Sequence, residues 1–220
     1  MLKKSLCSRI SLLLPLFLLQ IALSPTRADV ARSGDDRRRA TAFRIGDVAP
    51  RVDGVLDDKI WRQAPTHDHF LQSDPIEGVA GSERTTFQIA YDEEALFVGV
   101  RSFDSDPGGI ISRLTRRDDD IEADWVSVSL DPHHDRQSGA WFKVYASGSV
   151  EDGVYSGDRS SDESWDGVWE VETTIDDSGW TAEFRIPYHA LRFSPQQVYT
   201  WGLNVQRRIS RKHESLHWSL

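Results

Sequence analysis

Three tryptophans of this chain stand where an indole ring can meet a ligand instead of the protein core. Trp165 lies in a polar loop, residues 160–167, whereas Trp125 and Trp141 alternate with the apolar residues of two strand-like runs. Flat aromatic faces stack on the C–H side of a pyranose ring, and bidentate polar groups around them bind its hydroxyls. We therefore predict ligand contacts for these three rings. For Trp165, anchoring of its own loop is the competing interpretation.

A dense charged loop spans residues 113–120. It carries Arg113, Arg116 and Arg117 and ends in three consecutive aspartates, of which Asp118 is the first. Guanidinium groups bind carboxylates or hydroxyls in a bidentate way, and grouped aspartates can hold Ca²⁺. We predict ligand binding by Arg116, Arg117 and Asp118. A solvated loop with weak internal ion pairs is the alternative.

Catalysis and tight metal coordination have little support in the sequence. His67 and His69 are expected on one face of a strand, and His133 and His134 lie in a loop, but neither pair has a third ligand at a telling spacing. We therefore assign no metal-ligating residues from the sequence. We find no Gly-x-Ser-x-Gly elbow, no phosphate loop, and no acidic residue in an apolar segment that would raise its pKa. No catalytic residue is predicted.

Short alternating runs separated by Gly, Asp, Pro and Ser turns predict an all-β domain. Trp180, Ala182 and Phe184 alternate with polar residues, which indicates one buried and one solvated face. Such strands pack as two antiparallel sheets, so we predict a jelly-roll-like β-sandwich with one or two short helical turns. The predicted strands are 85–91, 96–103, 125–130, 141–146, 168–175, 180–186, 199–205 and a last run near 216–218.

One of these helical turns is expected next to Trp61. Asp53 and Gly54 form a turn pair, and Asp57 is a suitable N-cap for the residues that follow. A single helical turn is unstable by itself. Trp61 is therefore predicted to be a core plug, pinned against the sandwich.

The first 28 residues have the features of a signal peptide. A basic stretch precedes an apolar run, residues 10–23, which is too short to span a bilayer, and residues 26–28 fit a cleavage site. Residues 29–42 are polar and charged, which predicts a disordered leader. The sandwich is predicted over 43–220. Because the chain stops inside a strand-like run, truncation at its C-terminal end is expected.

The charge balance limits the kinds of partner. Asp and Glu number 35 against 26 Lys and Arg, and four of the basic residues precede residue 29, so the exported chain would carry 22 minus 35, or −13. An acidic protein is a poor partner for nucleic acid. The only cysteine, Cys7, belongs to the signal segment, so no disulfide is expected in the exported chain.

Several segments, in their order and spacing, resemble the family 9 carbohydrate-binding module. They cover most of residues 45–220 and include residues 52–61, 89–98, 124–131, 142–148, 179–187, 201–204 and Trp218. The resemblance implies a jelly-roll-like sandwich that binds a glycan or oligosaccharide, accompanies glycoside-hydrolysing domains and can hold a structural Ca²⁺. The family's two sugar-clasping tryptophans would fall within residues 121–123, which read Ile-Glu-Ala, and beyond Trp218.

Other segments resemble exported bacterial proteins in which such a domain precedes an outer-membrane β-barrel region. These are residues 114–118, 131–136 and 165–170. The resemblance implies a location in the periplasm, the outer membrane or at the cell surface, with membrane association through a region outside this chain. The leading hypothesis is a non-catalytic carbohydrate-binding module of a carbohydrate-catabolic system. A structural periplasmic domain is the alternative, and a hydrolase acting on O-glycosyl bonds is the third.

Overall fold

The computed structural model describes residues 38–46, 48–157 and 160–219, so the predicted signal peptide (1–28) lies outside the described residues. The described chain forms twelve strands and one short α-helix, α1 (Lys59–Gln63). The strands are β1 (Phe43–Arg44), β2 (Leu71–Asp74), β3 (Thr85–Tyr91), β4 (Ala95–Phe103), β5 (Trp125–Asp131), β6 (Ser138–Tyr145), β7 (Val150–Ser156), β8 (Ser161–Asp162), β9 (Glu170–Asp176), β10 (Gly179–Pro187), β11 (Gly202–Ile209) and β12 (Glu214–His217).

The strands form two sheets. The five-stranded sheet has the order β1-β3-β4-β10-β9, and the seven-stranded sheet has the order β2-β12-β11-β5-β6-β7-β8. Neighbouring strands run antiparallel except β1 and β3, which are parallel. The prediction of an all-β antiparallel sandwich with short helical turns is confirmed.

The core lies between the sheets and is built from the alternating apolar positions of their strands. Successive side chains of a strand point to opposite faces, so one set packs inward and the other is left for the outer face. The inward set includes Phe87, Ile89, Val98, Val100, Val126, Val128, Phe142, Val144, Trp180, Phe184, Val205 and Leu216. On β5 and β6 this leaves Trp125 and Trp141 outside the core, as the alternation predicted.

A second, smaller core covers the outer face of the five-stranded sheet. There Ile60 and Trp61 of α1 pack with Phe97 of β4. The N-cap of α1 is Asp58 and not Asp57 as expected, and no side chain caps the helix. Trp61 is only 4 % exposed, so it is a core residue as predicted. It belongs to this outer layer, however, and not to the core between the two sheets.

Glu183 of β10 ties this outer layer to the sheet. Its carboxylate accepts the indole N–H of Trp61 (2.8 Å) and the backbone N–H groups of Asp53 (3.1 Å) and Gly54 (3.2 Å). Burial raises the pKa of Glu183, and the hydrogen bond from Trp61 opposes that rise. The expectation that no acidic residue has a burial-raised pKa is therefore wrong. The alternation placed Glu183 on a solvated face, but the segment that covers this face comes from far away in sequence.

Other local expectations also change. Four strands, β1, β2, β7 and β8, were not predicted. His67 forms only an isolated bridge with Phe87, and His69 has a left-handed backbone, so the two histidines do not share a strand face. Part of the predicted leader is ordered, because Ala40 and Ala42 pack on the main core. In the described ranges, no helix is long and apolar enough to cross a membrane.

Candidate functional site

The outer face of the seven-stranded sheet carries a row of aromatic and polar side chains. Trp125 of β5 lies opposite Tyr145 of β6, and Ser129 lies opposite Trp141. Lys143 lies between the two aromatic residues of β6 and faces Ser127. Because β5 and β6 alternate cleanly, the same geometry that buries their aliphatic residues between the sheets puts this row on the outer face of the sheet. Its members cover one another there, so Tyr145 is fully buried and Trp141 is largely buried.

Lys143 is the centre of this row. Its ammonium nitrogen lies 5.5 Å from the ring centre of Trp125, 5.9 Å from that of Trp141 and 5.3 Å from that of Tyr145. It also forms an ion pair with Glu151, the residue opposite it on β7. Cation–π attraction and the ion pair hold the ammonium among three rings. The Lys143 side chain is 13 % exposed, so a small part of this fixed ammonium group faces the outside of the sheet.

Tyr145 and Glu151 form the inner part of the same cluster. The Tyr145 hydroxyl donates to Glu151, and Asp120 lies 3.2 Å from the same hydroxyl oxygen. Burial, and then the bond to Glu151, raise the pKa of Tyr145 above its usual range, so the phenol stays protonated. The phenol therefore remains a hydrogen-bond donor at every physiological pH.

Strand β11 supplies the polar border on the other side of Trp125. Arg208 lies opposite Trp125, and Gln206 lies opposite Ser127. The Arg208 guanidinium donates to Ser215 (2.9 Å) and lies 3.8 Å from the Glu122 carboxylate. A half-buried indole is thus bordered by Lys143 on one side and by an arginine fork on the other. We call Trp125, Lys143, Tyr145, Glu151, Gln206 and Arg208 the Trp125 site.

Trp141 lies flat on the sheet. A Cβ atom placed on Gly153 of β7 would come within 2.7 Å of the Trp141 ring, so the ring covers the bare backbone of that glycine. Its indole N–H points at the Ser161 hydroxyl, 3.2 Å away. Only 9 % of Trp141 is exposed. Trp141 is therefore largely buried against the sheet, while Trp125 is more exposed.

A second cluster lies where β7 approaches the loop before β9. Asp152, which is fully buried, accepts hydrogen bonds from the Arg117 guanidinium (2.7 Å), the Gly167 backbone (3.0 Å) and the Trp169 indole (2.6 Å). The guanidinium of Arg117 also contacts Asp166 at 3.0 Å. Asp152 follows Glu151 on β7, so it points to the opposite face of the sheet. The cluster is thus separate from the Trp125 site.

The structure divides the six predicted ligand residues between several places. Trp125 and Trp141 share the outer face. Arg117 and Asp118 belong to the Asp152 cluster, where their side chains lie 3.5 Å apart, and burial raises the pKa of Asp118. The other two predicted residues, Trp165 and Arg116, do not contact Trp125 or Trp141.

Trp165 packs against its own loop. Its ring lies edge-on to Phe142 at 6.1 Å, and a Cβ on Gly167 would come within 2.6 Å of it. It is half-buried, and this packing agrees with the loop-anchoring interpretation. Arg116 is exposed, and its side chain has no hydrogen bond or ion pair with any described residue.

The three carboxylates of Asp118, Asp152 and Asp166 form the one group with metal-ligand spacing among the described residues. Their hard oxygens suit Ca²⁺, the ion that the family resemblance implies. The Arg117 guanidinium, however, already contacts all three, at 3.5, 2.7 and 3.0 Å. A calcium ion bound by these oxygens would need the place of that guanidinium. As arranged, the cluster fits an arginine-centred ion network and not a calcium site.

Sequence reasoning missed much of the Trp125 site. Lys143 and Tyr145 alternate with core residues of a predicted strand, so the period of two could have placed them beside Trp141. Glu151 could not be placed because β7 was not predicted. Arg208 lies beyond the predicted end of β11, and its position opposite Trp125 depends on strand pairing between distant segments.

Comparison with known proteins finds similarity only at the level of structure. No family model and no curated protein sequence matches this chain. A family 9 carbohydrate-binding module from Caldicellulosiruptor kristjanssonii, solved with glucose, superposes with a TM-score of 0.57 at 17% identity, covering 81% of this chain and 85% of that one. The same module solved with cellotriose gives 0.57 and 17%, with 81% and 84% covered.

A third similar structure comes from Bacteroides uniformis ATCC 8492, a protein to which carbohydrate binding has been assigned provisionally. Its TM-score is 0.62 at 12% identity, with 81% of this chain and 88% of that chain covered. The described chain therefore has the fold of family 9 carbohydrate-binding modules. Identities this low establish the fold, and the residues of each chain decide what it binds.

Proposed function

We propose that this protein binds carbohydrate at the Trp125 site. The observation that carries the proposal is the half-buried indole of Trp125, bordered by Lys143 and Arg208 on an outer sheet face. A pyranose presents an apolar C–H face and a rim of hydroxyls. The indole suits the first, and the charged donors around it suit the second.

The polar groups of the site match the two hydrogen-bonding roles of a sugar hydroxyl. Lys143 and Arg208 donate to hydroxyl oxygens, and Gln206 offers both an acceptor and a donor. Glu151 and Tyr145 hold the lysine and each other in place. Because these partners are preorganised, few side chains must lose rotamer freedom when a ligand binds. A neutral polyhydroxylated ligand also suits an acidic protein better than an anion does.

The shared fold gives the first ligands to test. The Caldicellulosiruptor module was solved with glucose and with cellotriose. We propose the same broad class, neutral sugars, for this chain, with the specific sugar set by its own side chains. The family's tryptophan before β5 is replaced here by the Ile121 region, so Trp125 is the ring that would take the stacking role.

Isothermal titration with glucose, cellotriose and a panel of linear oligosaccharides tests the proposal, with tryptophan fluorescence as a second readout. We expect Trp125→Ala and Lys143→Met each to weaken binding about tenfold or more, as central aromatic and charged contacts do. Lys59→Met is the matched control, because Lys59 is an exposed lysine on α1, over the other sheet.

Three results would contradict the proposal. One is the absence of heat and of fluorescence change across the whole panel. Another is binding that Trp125→Ala and Lys143→Met leave unchanged while the thermal unfolding temperature of both variants stays near that of the parent. A loss of binding in Lys59→Met would indicate that general charge, and not the Trp125 site, is responsible.

We further propose that the protein is exported and works in carbohydrate catabolism. The support for export is the basic stretch, apolar run and small-residue site of residues 1–28, which are typical of a signal peptide. Expression of the full chain in a bacterial host, followed by N-terminal sequencing of the periplasmic fraction, tests the export. We expect a chain that begins near Asp29. A full-length cytoplasmic product would contradict it.

A further inference from the structure

A groove opens at the far end of the outer face from the Trp125 site. Its volume is about 520 Å³, which lies in the range of small-molecule sites. Ser129 and Asp131 of β5, Tyr155 of β7 and Asn204 of β11 line it. All four belong to strands of the seven-stranded sheet, so the groove has a rigid floor.

Two glycines keep this groove open. Gly202 of β11 lies opposite Asp131 of β5, and Gly139 of β6 lies opposite Tyr155 of β7. A Cβ on Gly139 would come within 2.6 Å of the Leu130 carbonyl oxygen, so no side chain fits there. The absence of side chains at both positions leaves the aspartate and the tyrosine facing an open space.

The groove contains unmatched hydrogen-bonding capacity. One carboxylate oxygen of Asp131, Oδ2, accepts the backbone N–H of Arg136 at 2.8 Å. The other, Oδ1, and the hydroxyl of Ser129 are buried and have no partner among the described residues. These two atoms have almost no accessible surface, so a ligand in the groove cannot reach them. The oxygen beside the gap at Gly202 is Oδ2, 3.4 Å from where a Cβ would lie, and it keeps a second acceptor position for an O–H donor. Beside it Tyr155 offers an aromatic ring that is 40 % exposed.

We propose that this groove is a second sugar subsite, which binds a further ring of the same glycan that rests on the Trp125 site. The inference rests on the proposed function. A carboxylate acceptor beside an exposed phenol ring is the pair that recognises the hydroxyl rim and the C–H face of a pyranose. The protein therefore binds along an oligosaccharide chain and not only at a single terminal sugar.

The strand geometry connects the two places. Trp125 and Asp131 are six residues apart on β5, which corresponds to about 20 Å along the strand. Ser127 and Ser129 lie between them on the same face, with Trp141 beside Ser129. The face is thus a continuous polar and aromatic strip, longer than one pyranose ring, with the Trp125 site at one end and the groove at the other.

The test is an array of defined glucose, xylose and galactose oligosaccharides, from monosaccharides to hexasaccharides, probed with the parent protein and its variants. Each type of sugar that binds on the array is then titrated as the monosaccharide and as the hexasaccharide. We expect Tyr155→Ala and Asp131→Asn to weaken binding of the long ligand about tenfold and to leave the monosaccharide affinity within about twofold. Asparagine keeps an acceptor for the Arg136 N–H, so the loop after β5 retains its bond.

The control is Ile175→Ala, which removes a similarly exposed side chain (43 %) from β9 of the other sheet. Equal affinity for monosaccharide and hexasaccharide in the parent protein overturns the second subsite. So does long-ligand binding that is lost in Trp125→Ala but unchanged in both groove variants, and in that case the proposed function stands. A parent protein that binds no sugar on the array overturns both.

Discussion

Replacing Gly54 by alanine tests how the segment before α1 is fixed to the sandwich. Gly54 has a φ of +77°, and a Cβ on it would lie 2.8 Å from the carbonyl carbon and 2.9 Å from the nitrogen of Thr173 in β9. Both are backbone atoms of a paired strand and cannot swing aside. The substitution therefore combines a strained backbone with a clash against the sheet.

A second glycine separates these two effects. Gly78 has a φ of +82° but nothing within 4 Å of its Cβ position, so Gly78→Ala carries the strain alone. Left-handed backbone costs an L-residue about 1–2 kcal/mol, and the stiffer unfolded chain offsets about 0.4–1 kcal/mol of that. Overpacking against immobile atoms adds about 1–3 kcal/mol. We expect a loss of about 0.5–1.5 kcal/mol for Gly78→Ala and about 2–4 kcal/mol for Gly54→Ala.

Urea unfolding followed by tryptophan fluorescence and far-ultraviolet circular dichroism measures both losses. The slope with urea should stay the same in the two variants, so that the midpoints report stability alone. If Gly54→Ala loses no more stability than Gly78→Ala, the turn does not press on β9 and the account of the outer layer is wrong.

Three further outcomes are expected. Gly153→Ala should lift the Trp141 ring, which lies 2.7 Å from the new Cβ, and weaken oligosaccharide binding more than thermal stability; titration and calorimetry compare the two. Asp152→Asn should cost about 2–4 kcal/mol of unfolding free energy, because it breaks a buried network, and leave sugar affinity unchanged. The hydrogen bond from Arg101 lowers the pKa of Asp176, so this pair stabilises the fold above the unfolded pKa of about 3.9 and stops doing so as acid protonates the carboxylate. The urea midpoint of Arg101→Met should therefore be lower than that of the parent at pH 7, and the two midpoints should converge in acid.

Most of the sandwich could be predicted because strand burial is encoded locally. The alternation in β3, β4, β5, β6 and β10 separates a core face from an outer face without any knowledge of pairing. Strands without that alternation escaped notice. β7 contains Glu151, Asp152 and Gly153, and its polar residues are buried by contacts with β6 and with the loop before β9. A local pattern cannot show burial that a distant segment provides.

The site was predicted in part for the same reason. Trp125 and Trp141 follow from the alternation of their own strands. Trp165 was expected to contact a ligand because its loop is polar, yet its ring packs on Phe142 of β6. The groove at Asp131 was not expected, since it exists only where two bare glycines from β6 and β11 come beside one aspartate.

The sequence by itself determined the all-β class, the identity of the main core strands and the outward placement of Trp125 and Trp141, because a period of two is a property of single strands. The tertiary structure alone decided which polar residues surround those rings. Lys143 meets Glu151 across the neighbouring strands β6 and β7, whereas Trp125 meets Arg208 and Arg117 binds Asp152 through pairings between segments further apart in the chain. Such pairings depend on register and sheet order, which follow from the packing of the whole domain.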